Sequence, residues 1–239
     1  MRITKSDLEL YIVCPRRYYY AKILEDRGYE RPEQRIGRAF HDFAYWFFEW
    51  LERDKLEQCT TLDDTMEYFR QSLEGIEVPY FRKLCENFLK FEAQRWLSLR
   101  DWELYFPVMR EALVTFRVQD VDFALKVDRV DLLNGYCCVV EYKLHMPPLV
   151  RIRRETCLYA LALNYAKATP KETRYWACYS PVDNIYIQDR VHINTVRALK
   201  RWIQRFIEAH EKKRFPKREG NYCAFCPFLE RCLRDGESS

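Results

Sequence analysis

Apolar residues recur at three- and four-residue spacing through the first hundred positions, then alternate or run continuously, so the pattern predicts helices first and a sheet later. Ser6 reads as the N-cap of a helix, or two short ones around Pro15, from Asp7 to about Lys22. A second helix is expected from about Glu33 to Arg53, with the aromatic stripe Tyr45, Trp46, Phe47, Phe48 and Trp50. Two more are expected over Leu62 to Leu73 and Tyr80 to Leu99, separated by a loop around Gly75 and Pro79. Strand patterns follow at Trp102 to Phe106, Arg110 to Arg117, Phe123 to Asp131 and around Glu141, forming an antiparallel meander that Pro147-Pro148 stops. A helix from Val150 to Ala168 ends at Thr169-Pro170. Strands at Arg174 to Tyr179 and Asn184 to Arg190 precede a basic amphipathic helix from Thr195 to Lys213. The fold class is mixed α/β: one domain over 1–239, with a helical lobe (1–100), a mixed sheet flanked by helices (101–191) and a basic helix and cysteine tail (192–239).

Within the meander, Ala124 to Leu144 reads as a hairpin closed by Asn134-Gly135, the pair that best tolerates the positive φ angles of a type I′ turn. If Leu133 and Tyr136 close the turn, Asp128 falls opposite Glu141, and alternation brings Lys143 onto the same face. Two carboxylates at that distance repel unless a cation lies between them. A divalent metal would resolve the conflict, and the lysine could polarise a phosphate or orient a water. Gly37 and His41 lie four apart on one face of the aromatic helix, where a small residue would let another backbone approach the imidazole. The pattern fits a hydrogen-bonded core histidine as well as a ligand.

With 48% hydrophobic residues and only 6 Gly in 239, the chain can bury a real core. A net charge of +4 is modest, but its placement is uneven: Arg151, Arg153 and Arg154 follow the hairpin, and Lys200 to Arg218 is basic. The N-terminus has no signal-peptide pattern and no run is apolar enough to span a membrane, so a cytoplasmic protein is expected. There, clustered cysteines hold metal more often than they form disulfides. Of ten cysteines, Cys59, Cys85, Cys137, Cys138, Cys157 and Cys178 read as small core residues. Cys223, Cys226 and Cys232 form a C-x2-C-x5-C array that supplies three ligands, and Cys14, followed like Cys226 by proline, is the candidate fourth. Zinc and an iron–sulphur cluster both suit four thiolates.

With those residues in hand, the chain resembles the RecB-like branch of the PD-(D/E)xK nuclease superfamily, specifically the iron–sulphur exonucleases of CRISPR adaptation modules. The resemblance is carried by Cys14 before Pro15-Arg16-Arg17-Tyr18, by Gly37-x-x-x-His41, by Asp128, by Glu141-x-Lys143 and by the cysteine trio, in that order. Leu125 stands where the family often has Gly. Glu155 stands for Gln in the family's Q-x-x-x-Y, whose tyrosine is kept as Tyr159; a glutamate there would repel phosphate unless an arginine such as Arg151 neutralised it.

The resemblance implies a restriction-endonuclease-like core and a metal-dependent deoxyribonuclease. His41, Asp128, Glu141 and the backbone carbonyl of Tyr142 would hold Mg or Mn, with Asp128, Glu141 and Lys143 catalytic. Tyr159, Arg16, Arg17 and Arg151 would contact DNA. Cys14, Cys223, Cys226 and Cys232 would hold a structural iron–sulphur cluster, 4Fe-4S ahead of 2Fe-2S. The implied substrate is single-stranded DNA or DNA ends, and the implied partner is the adaptation integrase. A RecB-like nuclease of repair or viral recombination, or a non-cleaving nucleic-acid-binding scaffold, are the alternatives.

Overall fold

A computed structural model describes residues 2–25, 32–73 and 79–237, and the loop expected around Gly75 lies outside them. The chain begins with strand β1 (Arg2–Thr4) and helices α1 (Lys5–Val13) and α2 (Pro15–Tyr18), the latter continued by a π-helical turn (Tyr19–Ile23). Helices α3 (Pro32–Trp50), α4 (Arg53–Gln58), α5 (Leu62–Arg70), α6 (Pro79–Leu99) and α7 (Trp102–Tyr105) follow. Next come β2 (Met109–Val118), β3 (Val121–Leu133), β4 (Tyr136–Tyr142), α8 (Leu149–Ala166), β5 (Thr173–Ser180), β6 (Ile185–Arg190), α9 (Ile193–Glu211) and α10 (Leu229–Glu237). No helix among the described residues is long and apolar enough to cross a membrane.

Two expectations are corrected. The first helix is capped by Thr4, not Ser6: the Asp7 carboxylate accepts the Thr4 N–H at 2.8 Å, and the Thr4 hydroxyl accepts the Asp7 N–H in return. That reciprocal box satisfies two donors at once, which Ser6 could not do. Trp102 to Phe106 is a helical turn rather than a strand, because Asp101 Oδ1 accepts the N–H groups of Glu103 (2.8 Å) and Leu104 (3.2 Å). A local cap outweighs the β preference of aromatic residues.

The chain divides into two compact units. One comprises Met1–Glu30, Thr115–Leu125 and Val196–Ser239, so both ends of the chain belong to it. In it β1 pairs in parallel with the start of β3 (Ile3 opposite Phe123), and Tyr11 and Tyr18 pack edge-on against Phe206 of α9 at 4.9 and 5.0 Å.

The other unit, Arg31–Val114 with Lys126–Thr195, carries a mixed sheet. The rest of β3 runs antiparallel to β4, β4 parallel to β5, and β5 antiparallel to β6. Asn134 and Gly135 have φ of 52° and 77°, as the tight turn requires, and Leu133 pairs with Tyr136. Cys138, Val140, Tyr142, Ala177 and Tyr179 pack into an aromatic cluster with α3, α5 and α6, where Phe47, Phe88 and Phe69 are 0–1% exposed. Phe88 meets Phe47 edge-to-face at 5.2 Å and Tyr142 at 5.9 Å, the geometry aromatic quadrupoles favour. Alternation leaves Val139 and Glu141 toward the other face, where α8 contacts β4 and β5.

One buried polar group interrupts this core. Arg129, 1% exposed, donates twice to Asp131 (2.7 Å each), to Glu92 (2.5 Å) and to the Tyr142 hydroxyl (3.1 Å), while Arg95 pairs with Glu92 at 3.0 Å. Two arginines and two carboxylates balance, which is what makes their burial tolerable.

Candidate functional site

Helix α3 and strands β2, β3 and β4 bring titratable groups together at one place in the larger unit. His41 Nδ1 lies 3.1 Å from Glu111 Oε1 and 3.4 Å from Asp128 Oδ1, and one ligand atom from each of the three falls within 4.8 Å of the others. Burial disfavours the imidazolium, but the Asp128 and Glu111 carboxylates outweigh it and hold the His41 pKa up at about 10. Burial would likewise raise Glu111, yet hydrogen bonds from His41 and Lys126 hold it below the ordinary carboxylate range. The other oxygen of Asp128, Oδ2, accepts the Tyr142 N–H at 2.9 Å. The backbone ladder between β3 and β4 stops one step before, at Arg129 opposite Val140, so this side-chain bond takes over where the ladder ends.

Glu111 escaped the sequence reading. It sits in β2 with φ 44°, a left-handed backbone that is costly for a residue with a Cβ, and this breaks the alternation by which its direction could be read. Among the described residues no neighbouring backbone approaches Gly37: a Cβ there would meet the Leu144 side chain, at 3.9 Å.

Glu141 and Lys143 share one face, as alternation predicts, at 2.6 Å. Glu141, 1% exposed, thus pairs with the lysine, and the group of candidate ligands found among the described residues is His41, Glu111 and Asp128. The lysine also reaches Glu155 of α8 at 3.0 Å, and Glu155 in turn accepts Arg151 Nε at 2.8 Å. Burial pulls Lys143 down, but the two carboxylates outweigh it and hold it well above its usual value. The Cys178 thiol senses the whole group: burial pushes it up to about 12, aided by Glu141, Glu155 and Asp128 and opposed by Lys143. His41, Lys126, Lys143 and Arg151 therefore face Glu111, Asp128, Glu141 and Glu155, with Asp42 a further anion acting on Lys126.

The donor set suits a hard divalent ion. Magnesium takes oxygen ligands at about 2.0–2.1 Å, which demands donors only a few ångströms apart, and an imidazole with two carboxylates is a composition such ions accept. The 3.1 and 3.4 Å separations meet that demand. A family model for the PD-(D/E)XK nuclease superfamily matches residues 2–233. The chain belongs to that superfamily. Nucleases of this superfamily use divalent metals, and the His41, Glu111 and Asp128 group is one that could hold such an ion. A solved structure from Eubacterium rectale, provisionally named an exonuclease, superposes with a TM-score of 0.55 over 96% of this chain and 87% of that one. At 11% identity it shows a shared fold. A second solved structure, SSO0001, aligns over 95% of this chain and 83% of that one at 14% identity, with a TM-score of 0.39. No curated protein matches the chain.

The remaining site candidates lie as follows. Tyr159 is 1% exposed, inside the larger unit on α8, one turn beyond Glu155. Arg16 and Arg17 are half-buried on α2 of the smaller unit, with Arg16 over the rings of Tyr19 (5.8 Å) and Tyr20 (6.0 Å). Cys14, Cys223, Cys226 and Cys232 all belong to that same unit. Cys14 Sγ accepts the Arg218 N–H at 3.4 Å and Cys223 Sγ donates to the Arg218 carbonyl at 3.9 Å, so one residue's backbone bridges both. Burial raises the Cys232 thiol, as do Cys14 and Cys226, against Arg16 and Lys217. No three of these four sulphurs lie within 4.8 Å of one another.

Proposed function

We propose that this chain is a divalent-metal-dependent deoxyribonuclease that trims single-stranded DNA or DNA ends, with exonuclease action and a cytoplasmic site of work. The observation that carries the reading is the convergence of His41, Glu111 and Asp128 beside the Glu141–Lys143 pair. His41, Glu111 and Asp128 would hold Mn or Mg, with Glu141 and the Tyr142 carbonyl completing the set. The bound ion supplies Lewis-acid stabilisation of the charge that develops on a cleaved phosphodiester. Lys143 directs its ammonium at the same phosphate and at the attacking water. To act as a ligand His41 would lose its proton, and a divalent charge in that proton's place would make the site more positive by one unit, which favours a polyanion. Arg151, with a side chain 55% exposed, stands at the edge of this group.

The cysteine quartet supports placement in the RecB-like iron–sulphur branch. A tetrahedral zinc site, with Zn–S of about 2.3 Å, draws its sulphurs to about 3.8 Å from one another. The branch that the motif order points to holds a multi-iron cluster instead, and Cys14, Cys223, Cys226 and Cys232 would hold it here. With that cluster, the motif order supports a role in preparing DNA ends for a CRISPR adaptation integrase. The test is incubation of anaerobically purified protein with single-stranded DNA labelled at either end and manganese chloride, beside Asp128→Ala and Lys143→Ala. Progressive shortening by the wild-type protein alone is expected, and equal products from all three, or none, would overturn the proposal.

A further inference from the structure

Lys143 is held from two sides. Nζ lies 2.6 Å from Glu141 Oε1 and 3.0 Å from Glu155 Oε2, and the Glu155 carboxylate is 0% exposed. Its second oxygen, Oε1, accepts Arg151 Nε at 2.8 Å. One carboxylate suffices to neutralise one ammonium, so while Glu141 holds Lys143 the second acid is surplus, and keeping it buried requires the arginine. Its use emerges when Glu141 changes partner. If Glu141 gives its carboxylate to a divalent ion, an ammonium 24% exposed loses its nearest anion, and stripping one partner from a buried pair is strongly unfavourable.

Resting on the nuclease reading above, we infer that Glu155 is a positioning residue: it keeps Lys143 in place as metal binding draws Glu141 away, and Arg151 holds Glu155 ready for that role. Glu155 touches neither metal nor substrate in this scheme. It acts through Lys143 and lowers the cost of freeing Glu141. The same pairing explains why a carboxylate is tolerated beside a phosphate-binding site, since Lys143 and Arg151 occupy both of its oxygens.

The scheme predicts a coupling that needs no catalysis to observe. Titration calorimetry with manganese chloride would compare the wild-type protein with Glu155→Gln, Lys143→Ala and the double variant. With Lys143 present, Glu155→Gln is expected to weaken manganese binding about tenfold, or about 1.4 kcal/mol, because freeing Glu141 now strands the lysine. In the Lys143→Ala background the same substitution should cost less than about twofold, since no ammonium remains to be stranded. Glu155→Asp, which keeps the charge, should recover most of the loss and serves if the glutamine variant folds poorly.

Equal losses in both backgrounds would mean that Glu155 acts on the ion directly, and no loss in either would mean that it does nothing; both overturn the inference. Parallel cleavage of labelled single-stranded DNA separates the two proposals. Coupling without cleavage by the wild-type protein removes the nuclease reading and leaves the role of Glu155 standing. Cleavage without coupling does the reverse, and absence of manganese binding removes both.

Discussion

Substituting Arg129 by methionine tests whether the buried quartet beneath the hairpin is held by charge balance. The change removes four hydrogen bonds, two to Asp131, one to Glu92 and one to the Tyr142 hydroxyl, and leaves two carboxylates facing Arg95 as the quartet's remaining cation. Arg95 already pairs with Glu92 at 3.0 Å and stands 3.8 Å from Asp131, so it cannot neutralise both. Breaking a buried pair from one side costs about 3–5 kcal/mol. For a chain of this length each kcal/mol moves the melting temperature by about 2–4 °C, so Arg129→Met should melt roughly 6–20 °C below the wild-type protein. The double variant Arg129→Met with Glu92→Met returns the group to one cation and one anion. It should recover part of that loss, the remainder being the two donors lost to Asp131 and the one lost to the Tyr142 hydroxyl. Thermal and urea unfolding of protein stripped of divalent metal with chelator would measure both. A single variant within about 1 kcal/mol of wild type, or a double variant no more stable than the single, would refute the charge-balance account.

Glu111→Ala and Glu111→Gly should both shrink the stabilisation gained on adding manganese, which for the wild-type protein is about 2.7 kcal/mol at a hundredfold excess over the dissociation constant. The glycine variant should be the more stable by about 1 kcal/mol, because residue 111 stands at φ 44°; equal stability would mean that the strand relaxes once the carboxylate is gone. Cys14→Ser should lower iron content and melting temperature together, and full iron occupancy in that variant would remove Cys14 from the ligand set. The Asp183 carboxyl is held below its usual range by the Met146 N–H and the Ser180 hydroxyl. Its contribution is therefore complete above its ordinary pKa of about 4 and lost as pH falls through the lower folded value, so the melting difference between wild type and Asp183→Asn should be present at neutral pH and vanish in acid. A difference that persisted in acid would show the bond to be incidental.

The legible parts of this molecule are those where a local rule had no competitor. Asn134-Gly135 fixed the turn, the turn fixed the register, and from Leu133–Tyr136 to Arg129–Val140 the observed pairs follow that register. That Glu141 and Lys143 share one face follows from alternation alone. What stayed hidden depended on distant partners or on a backbone that leaves its period. Glu111 is the clearest case, since its backbone stands at positive φ and its partners His41 and Lys126 lie 70 residues before it and 15 after it. The three-residue strand β1 was too short to show any period, and it exists through its parallel pairing with β3.

Glu155 stands between these cases. As a departure from a motif it was visible in the sequence, and Arg151 one helical turn before it already offered a counter-charge at the spacing that lets side chains meet. That pairing forms at 2.8 Å. The sequence could not disclose that the other oxygen of Glu155 reaches across to Lys143, because that contact joins a helix to a strand through tertiary packing alone. A carboxylate that looks like an obstacle to phosphate when read beside its helical neighbours thus becomes, once the strand is packed against it, the second anion of a lysine that has to outlast the loss of its first.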